Sequence, residues 1–329
     1  MGEWAAELEE LWDAWKIKLR HAARYMVHYA PRYAILILFA LGAFVMGRGA
    51  DPEPPDRRVD LFIFMGQSNM SGRGVTSEEW PEGPPALIEG AGFEFRAVSD
   101  PAALYPIAEP FGAAENRPGG IDDGNHKTGS MVTAFANAYY EHNIGHVPIV
   151  AVSASNSATR IGQWQPDGVF LPDALERFSA AETYLTENGY EIRRRYMVWC
   201  QGENDAGRLS GEEYKTLFRS MLDAMLRAGI DACFLCRIGE YNGDLNIDYS
   251  EIIRAQTELC QENRRVVMAT TVLCTMRARG LMQDAHHYYQ AAYNEMGQYA
   301  GTNAAIYTNT GREPAMYDPK YDNLYQPDT

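Results

Sequence analysis

Residues 59–70 read VDLFIFMGQSNM. The apolar run Val59–Met65 is rich in β-branched and aromatic residues, and Gly66 ends it. Such a run, bounded by a glycine, is the signature of a buried strand. Ser68 follows at once, so it sits at the turn leaving the strand, above the sheet edge. Gly66 lets the chain turn there without a Cβ clash. Similar short runs recur at Val147–Val152, Tyr196–Cys200, Ala232–Ile238 and Arg265–Thr271. Between them lie segments of helical periodicity: Met131–His142, Asp173–Glu187, Ser210–Ala228, Tyr249–Gln261 and Tyr289–Tyr299. Ser210-Gly-Glu-Glu213 is a capping box, and Glu176 three residues after Asp173 gives a second start signal. Apolar runs alternating with amphipathic helices predict an α/β three-layer sandwich with a central parallel sheet. Ligand sites in such sheets lie at the carboxyl ends of the strands. The segment Thr76–Asn125, rich in Gly, Pro and acidic residues, reads as a long surface excursion beside that edge. No role is assigned to the tail from Thr302 to Thr329.

The chain has 329 residues, 46% of them hydrophobic and 22% charged, which are values of a globular protein with a sizeable core. Its net charge of -15 argues against nucleic acid as a partner, because phosphate repels an acidic surface. Five cysteines are too few, and odd in number, for a disulfide scaffold. Cys233 and Cys236 have the spacing of half a zinc site, but they sit in an apolar run and no second such pair follows. They read as buried strand residues, and neither a metal nor an organic cofactor is expected.

Tyr33–Met46 carries no charge. Fourteen helical residues span only ~21 Å, against a hydrocarbon core of ~30 Å. Basic residues (Lys16, Lys18, Arg20, Arg24, Arg32) precede this stretch, and Asp51, Glu53 and Asp56 follow it. The asymmetry favours a cytoplasmic amino terminus. The expected organisation is a leader over 1–32, a membrane anchor over 33–47, a Pro-rich linker over 48–58 and a catalytic domain over 59–329, outside the cytoplasm. A cleaved signal segment and an apolar helix of a cytoplasmic fold are the alternatives.

Three polar motifs fall where the strands end. In Gly66-Gln67-Ser68-Asn69-Met70 the serine follows a strand directly, so its own N–H can face a developing oxyanion. In Asp284-Ala-His286-His287 the three-residue spacing can set the carboxylate against the imidazole Nδ1, leaving Nε2 to take a serine proton. His286 is the competing base. In Trp199-Cys-Gln201-Gly-Glu203-Asn-Asp205, Gln201 can offer an amide N–H to an oxyanion, and Glu203 and Asp205 can hold neighbouring loops. A carboxylate pair for glycoside hydrolysis is a rival reading of those last two residues.

Together FMGQSNMSGRG, WCQGEND and DAHHYYQAAYNEMG resemble, in that order, the SGNH hydrolases, and more closely the sialate O-acetylesterase-like carbohydrate esterases. The resemblance spans about Val59 to Gly301. It implies a flavodoxin-like fold, Ser68 as nucleophile, His287 as base and Asp284 as its orienter. It further implies oxyanion or binding roles for Gln201, Gly129, Gln67, Asn69 and Glu203, and O-acetylated carbohydrate as substrate. The chain departs from the family where Ser153-Ala-Ser-Asn156-Ser157-Ala-Thr159-Arg160 replaces a Gly-Gly run. Trp164 beyond it is a candidate for sugar stacking, and Arg160 for a substrate carboxylate. An esterase acting on acyl lipid, or a surface glycan-binding protein with a decayed site, are the other readings.

Overall fold

The computed structural model describes residues 57–325. The leader, the 33–47 segment and most of the linker lie outside the described residues. Among the described residues no helix is long and apolar enough to cross a membrane.

The first strand, β1 (Arg58–Gly66), is the middle of a seven-stranded sheet. After the short helix α1 (Ser68–Ser71) come β2 (Gly92–Arg96) and β3 (Asp100–Pro106), helix α2 (Val132–His142) and β4 (Ile149–Ser155). Then follow α3 (Phe170–Glu187), β5 (Glu191–Cys200), α4 (Gly211–Arg227), β6 (Ala232–Cys236), α5 (Ser250–Glu262), β7 (Val266–Thr270) and α6 (Gln290–Thr310). A two-stranded hairpin, β8 (Met316–Asp318) and β9 (Asn323–Tyr325), closes the described chain. The sheet order is β3-β2-β4-β1-β5-β6-β7, and all neighbours pair in parallel except β2 and β3.

Alternation along β1 explains the layers. Val59, Leu61, Ile63 and Met65 enter one core with residues of α3, α4 and α5, such as Phe178, Phe218 and Ile252. Phe62 and Phe64 enter the other, with Phe135 and Tyr139 of α2 and Met296 of α6. A strand buried on both faces reads as an unbroken apolar run, which is the pattern of residues 61–65. Cys233 and Cys236 belong to opposite cores, because residues three apart in a strand point to opposite faces, so they do not converge on one ligand. Helix α6 lies close on α2: a Cβ added at Gly297 or Gly301 would come within 2.3 or 2.4 Å of the carbonyl oxygens of Met131 or Phe135. The capping box at Ser210 and Glu213 forms as its sequence predicts.

Three expectations are corrected. The Thr76–Asn125 segment is not wholly excursion, since β2 and β3 form a hairpin that extends the sheet beyond β4. The alternation Phe93, Phe95 carries it, within a stretch whose Gly and Pro neighbours mask the signal. Helix α3 begins at Phe170, and Asp173 is no cap. Its carboxylate accepts the Ile121 N–H at 2.7 Å and the Arg177 Nε at 3.0 Å. Arg177, fully buried, also donates to the carbonyls of Glu115, Ser153 and Ile121, so one side chain ties the 107–123 loop to the sheet. Finally, α6 continues past Tyr299 to Thr310, and the tail packs on the domain through Arg237. The buried Arg237 guanidinium makes paired 2.5 Å bonds to the Asp318 carboxylate.

Two outcomes follow for stability. Asp318→Ala leaves the Arg237 charge buried without its partner, and breaking such a pair costs about 3–5 kcal/mol. Urea unfolding should show the midpoint fall by a corresponding amount. Burial pushes the Glu313 carboxyl up to about 7, against the Met268 N–H and the Tyr325 hydroxyl, which lower it. The native state then keeps a proton that the unfolded chain releases above its ordinary value of 4.5, so stability falls as pH rises from 4.5 to about 7. Melting temperature recorded across that range should flatten in Glu313→Gln.

Candidate active site

Three strand ends meet at Gly66. Its φ of +139° is a conformation that side chains disfavour, and an added Cβ would lie 2.1 Å from the Cys200 carbonyl oxygen. That carbonyl accepts the Gln67 N–H at 3.0 Å, while the Gly66 carbonyl accepts the Asn156 N–H at 2.9 Å. The carboxyl ends of β1, β4 and β5 are thus joined at the point where the connections change direction across the sheet. Ser68 stands there as the first residue of α1.

The loop 282–288 crosses above it. An isolated bridge pairs Met282 with Tyr288, and the Gln283 N–H donates to the His287 carbonyl at 3.0 Å. Gln283 also donates its Nε2 to the carbonyls of Arg73 and Tyr288, tying this loop to the one after α1. Within it, Asp284 Oδ1 accepts the N–H groups of His286 and His287, both at 2.7 Å. Asp284 Oδ2 lies 2.8 Å from His287 Nδ1, and His287 Nε2 lies 2.9 Å from Ser68 Oγ. Partial burial pushes the Asp284 carboxyl up, but its bonds to those two N–H groups and to the His287 ring outweigh this and hold it below the ordinary carboxylate range. An ionised Asp284 accepts the Nδ1 proton, which leaves Nε2 as an acceptor for the serine hydroxyl. Ser68, His287 and Asp284 therefore form a continuous relay.

His286 turns elsewhere. Its Nδ1 lies 2.7 Å from the Tyr249 hydroxyl, and its ring packs against Tyr241. Burial and the neighbouring His287 hold its pKa below the ordinary value. Its Nδ1 is thus engaged with Tyr249, and the ring nitrogen that faces Ser68 Oγ is His287 Nε2. Beneath the serine, Asn69 donates its Nδ2 to Glu203 Oε1 at 2.5 Å and to the His286 carbonyl at 3.2 Å, and accepts the Tyr293 hydroxyl at 2.7 Å. Asn69 is fully buried. It braces the serine turn against the histidine loop instead of meeting a ligand. Glu203 is buried too, and burial pushes its carboxyl up while the Asn69 bond pulls it down.

The relay opens on a cleft of about 460 Å³ lined by Gln67, Ser68, Arg73, Asp123, Asn156, Ser157, Glu203, Asn204, His286, His287 and their neighbours. Several expected site residues are not part of it. Gln201 is fully buried and spends both amide hydrogens inside, on the Thr159 carbonyl and the Asp205 carboxylate. Trp164 is fully buried as well, edge-on to Trp199 with its indole N–H on Thr159 Oγ1, so it packs the core and meets no sugar. Gly129 lies outside the lining, its carbonyl taken by the Gly74 N–H at 2.9 Å. Arg160 is exposed beyond the lining. Asp205 holds the Ile161 N–H and Gln201 behind the cleft, so it does not face Glu203 across a glycosidic bond. Conversely, the Arg73–Asp123 pair and His126 are at the cleft without having been singled out. Arg73 lies in the same FMGQSNMSGRG run as the serine, which was the available signal.

An alanine methyl at Gly66 has no room in the junction of strands. Gly66→Ala should lower unfolding free energy by about 2–4 kcal/mol through overpacking and backbone strain, and ester hydrolysis should fall with it. Chemical unfolding and a small acetate ester assay check both.

A family model described as carbohydrate esterase, sialic acid-specific acetylesterase, matches residues 58–305. No curated protein matches the chain. Among solved structures, a protein from Arabidopsis thaliana is similar at 20% identity and a TM-score of 0.57, covering 77% of this chain and 98% of its own. NanS is similar at 13% identity and a TM-score of 0.49, covering 78% of this chain and 99% of its own. A carbohydrate acetylesterase from Xanthomonas citri is similar at 13% identity and a TM-score of 0.45, covering 79% of this chain and 60% of its own. The first of these likenesses supports the α/β fold, and the family match, over three quarters of the sequence, assigns the chain to the carbohydrate esterases of the sialic acid-specific acetylesterase family.

Proposed function

We propose that the protein is a serine O-acetylesterase of the SGNH type, removing acetyl groups from carbohydrate through an acetyl-Ser68 intermediate. The observation that carries the mechanism is the unbroken relay Ser68 Oγ, His287 Nε2, His287 Nδ1, Asp284 Oδ2, with links of 2.9 and 2.8 Å, opening on the cleft. The three motif segments all stand at the carboxyl edge of the sheet, which supports the SGNH assignment. Gln67, Asn156, Ser157 and Asn204 on the cleft wall offer hydrogen-bond partners to sugar hydroxyls. The charge asymmetry around residues 33–47 supports a catalytic domain outside the cytoplasm.

In the first half-reaction Ser68 Oγ attacks the acetyl carbonyl as His287 Nε2 takes its proton. Asp284 holds the ring in the required tautomer and stabilises the imidazolium. The first residues of a helix have no intrahelical acceptor for their N–H groups, so the Ser68 N–H is free to meet the oxyanion. Gln67 engages only its Oε1, in long 3.4 Å bonds from the Gly202 and Asn204 N–H groups, and Asn156 Nδ2 makes only a long 3.3 Å bond. These two amides on the cleft wall replace Gln201 and Gly129 as candidate oxyanion donors. A single such donor is worth about 3 kcal/mol of transition-state stabilisation. His287 then passes its proton to the departing sugar oxygen. Water, deprotonated by the same nitrogen, attacks the acetyl carbonyl and releases acetate and Ser68.

Ser68→Ala should remove acetate release from acetylated sugars while the unfolding curve stays in place; full activity in that variant would exclude the mechanism. Asp284→Asn should keep the fold and lower kcat by about 10³–10⁴-fold, because an amide in that position leaves the imidazole in the wrong tautomer. Steady-state kinetics on a small acetate ester reads that loss.

A further inference from the structure

We propose that the groove between α2, α6 and the 76–90 loop is a second carbohydrate-binding site, which holds an uncharged stretch of glycan away from the Ser68 cleft. The choice of carbohydrate as occupant rests in part on the acetylesterase reading of the Ser68 site. The groove and its chemistry stand apart from that site.

The groove encloses about 610 Å³, against about 460 Å³ for the cleft at Ser68, and the two share no lining residue. Its helical sides present Asn137 and Glu141 from α2, and Asn294 and Gln298 from α6. Each pair is four residues apart, the spacing that puts side chains on one helix face. The facing wall is fixed in advance. Asn137 Nδ2 donates to the Ala86 carbonyl at 2.8 Å, and its Oδ1 accepts the Ile88 N–H at 2.8 Å. Asn294 Nδ2 donates to the Gly83 carbonyl at 2.8 Å, and Trp80 Nε1 to the Gly280 carbonyl at 3.1 Å. A ligand arriving there has little loop to order, which removes a usual cost of binding.

Two aromatic side chains line the groove. Trp80 is partly buried against the core, and Tyr299 is 52% exposed. Such rings are large apolar surfaces with a polar edge, and the C–H face of a pyranose packs on a surface of that kind. Beside them lie Glu82, Glu141 and Gln298, all exposed. Among the described residues, no other side chain bonds these three or the Tyr299 hydroxyl. Carboxylate, amide and phenol groups next to aromatic rings match a polyol, which both donates and accepts. An apolar helix laid in the groove would cover the same groups without bonding them, which costs free energy. Arg279 is paired with Glu295 through both terminal nitrogens, at 3.0 and 2.7 Å. Glu82 and Glu141 therefore leave the groove acidic, which repels nucleic acid and anionic lipid and leaves an uncharged sugar unaffected. Arg73 lines the Ser68 cleft, and Trp80 follows it by seven residues. The chain between them spans at most about 25 Å, so one polysaccharide can reach both sites.

The test titrates the full-length chain with xylohexaose and with lacto-N-tetraose, neither of which carries an ester, and follows binding by ligand-observed NMR. At least one should bind, and Tyr299→Ala should weaken that binding at least about fivefold, the loss of one aromatic contact. Hydrolysis of 4-nitrophenyl acetate should be unchanged in that variant. Tyr299 is exposed on α6, so its replacement removes no core contact; Trp80→Ala is the second variant and should weaken binding likewise. Binding of neither oligosaccharide would overturn the proposal. So would binding that survives both substitutions, since the sugar would then sit in another cleft. Self-association that Tyr299→Ala abolishes, read by sedimentation velocity, would give the groove to a second copy of the chain and also overturn it. If the parent does not cleave 4-nitrophenyl acetate, the acetylesterase reading fails separately, and the titrations still decide the groove because they need no turnover.

Discussion

The active-site end of the molecule depends on one steric constraint, the absence of a side chain at Gly66. Because the Cys200 carbonyl occupies the place where a Cβ would be, β1 and β5 can exchange a hydrogen bond through Gln67 beyond the last strand residue, and β4 can attach through Asn156. The sheet therefore continues as backbone bonding into the loops that carry the chemistry. A nucleophile placed two residues past Gly66 is as fixed as the strands themselves, which is the condition for holding a reacting atom within a few tenths of an ångström.

The other half of the site, the histidine loop, has no strand to fix it and is held by buried polar side chains. Asn69 connects the serine turn to Glu203, to the His286 carbonyl and to Tyr293 of α6. Gln283 ties the same loop to the residues after α1. Similar staples order the rest of the upper surface, with Arg177 and Asp173 securing the 107–123 loop and Arg237 securing the tail hairpin. Buried polar groups of this kind specify one arrangement because any other leaves a donor or a charge without a partner, a cost of about 1–3 kcal/mol each. Loops of this length would otherwise sample many conformations.

Family membership fixes the class of reaction and leaves the sugar open. The relay needs only an acyl carbonyl and a place for the oxyanion, while discrimination among sugars belongs to the walls. The segment after β4 carries Asn156 and Ser157. In the structure those two side chains line the cleft, and Ser157 holds the Arg73–Asp123 pair.

The β1 run, the alternation of strands with amphipathic helices, the capping box at Ser210 and the residues of the relay were legible from the amino-acid order, because strand burial, helix periodicity and the Asp-x-x-His spacing are local properties. The hairpin β2–β3 was not, because its strands are short and lie among Gly and Pro residues. Nor were the positions of Gln201, Trp164, Gly129 and Arg160 relative to the cleft. A side chain at the end of a strand can face the cleft or the core, and only the packing of α3, α4 and the 158–165 turn decides that Gln201 serves Thr159 and Asp205 while Trp164 fills the space beside Trp199. The pairing of Arg73 with Asp123, fifty residues apart, is likewise a product of tertiary folding: sequence supplies the charges, and the fold alone decides which of them cancel.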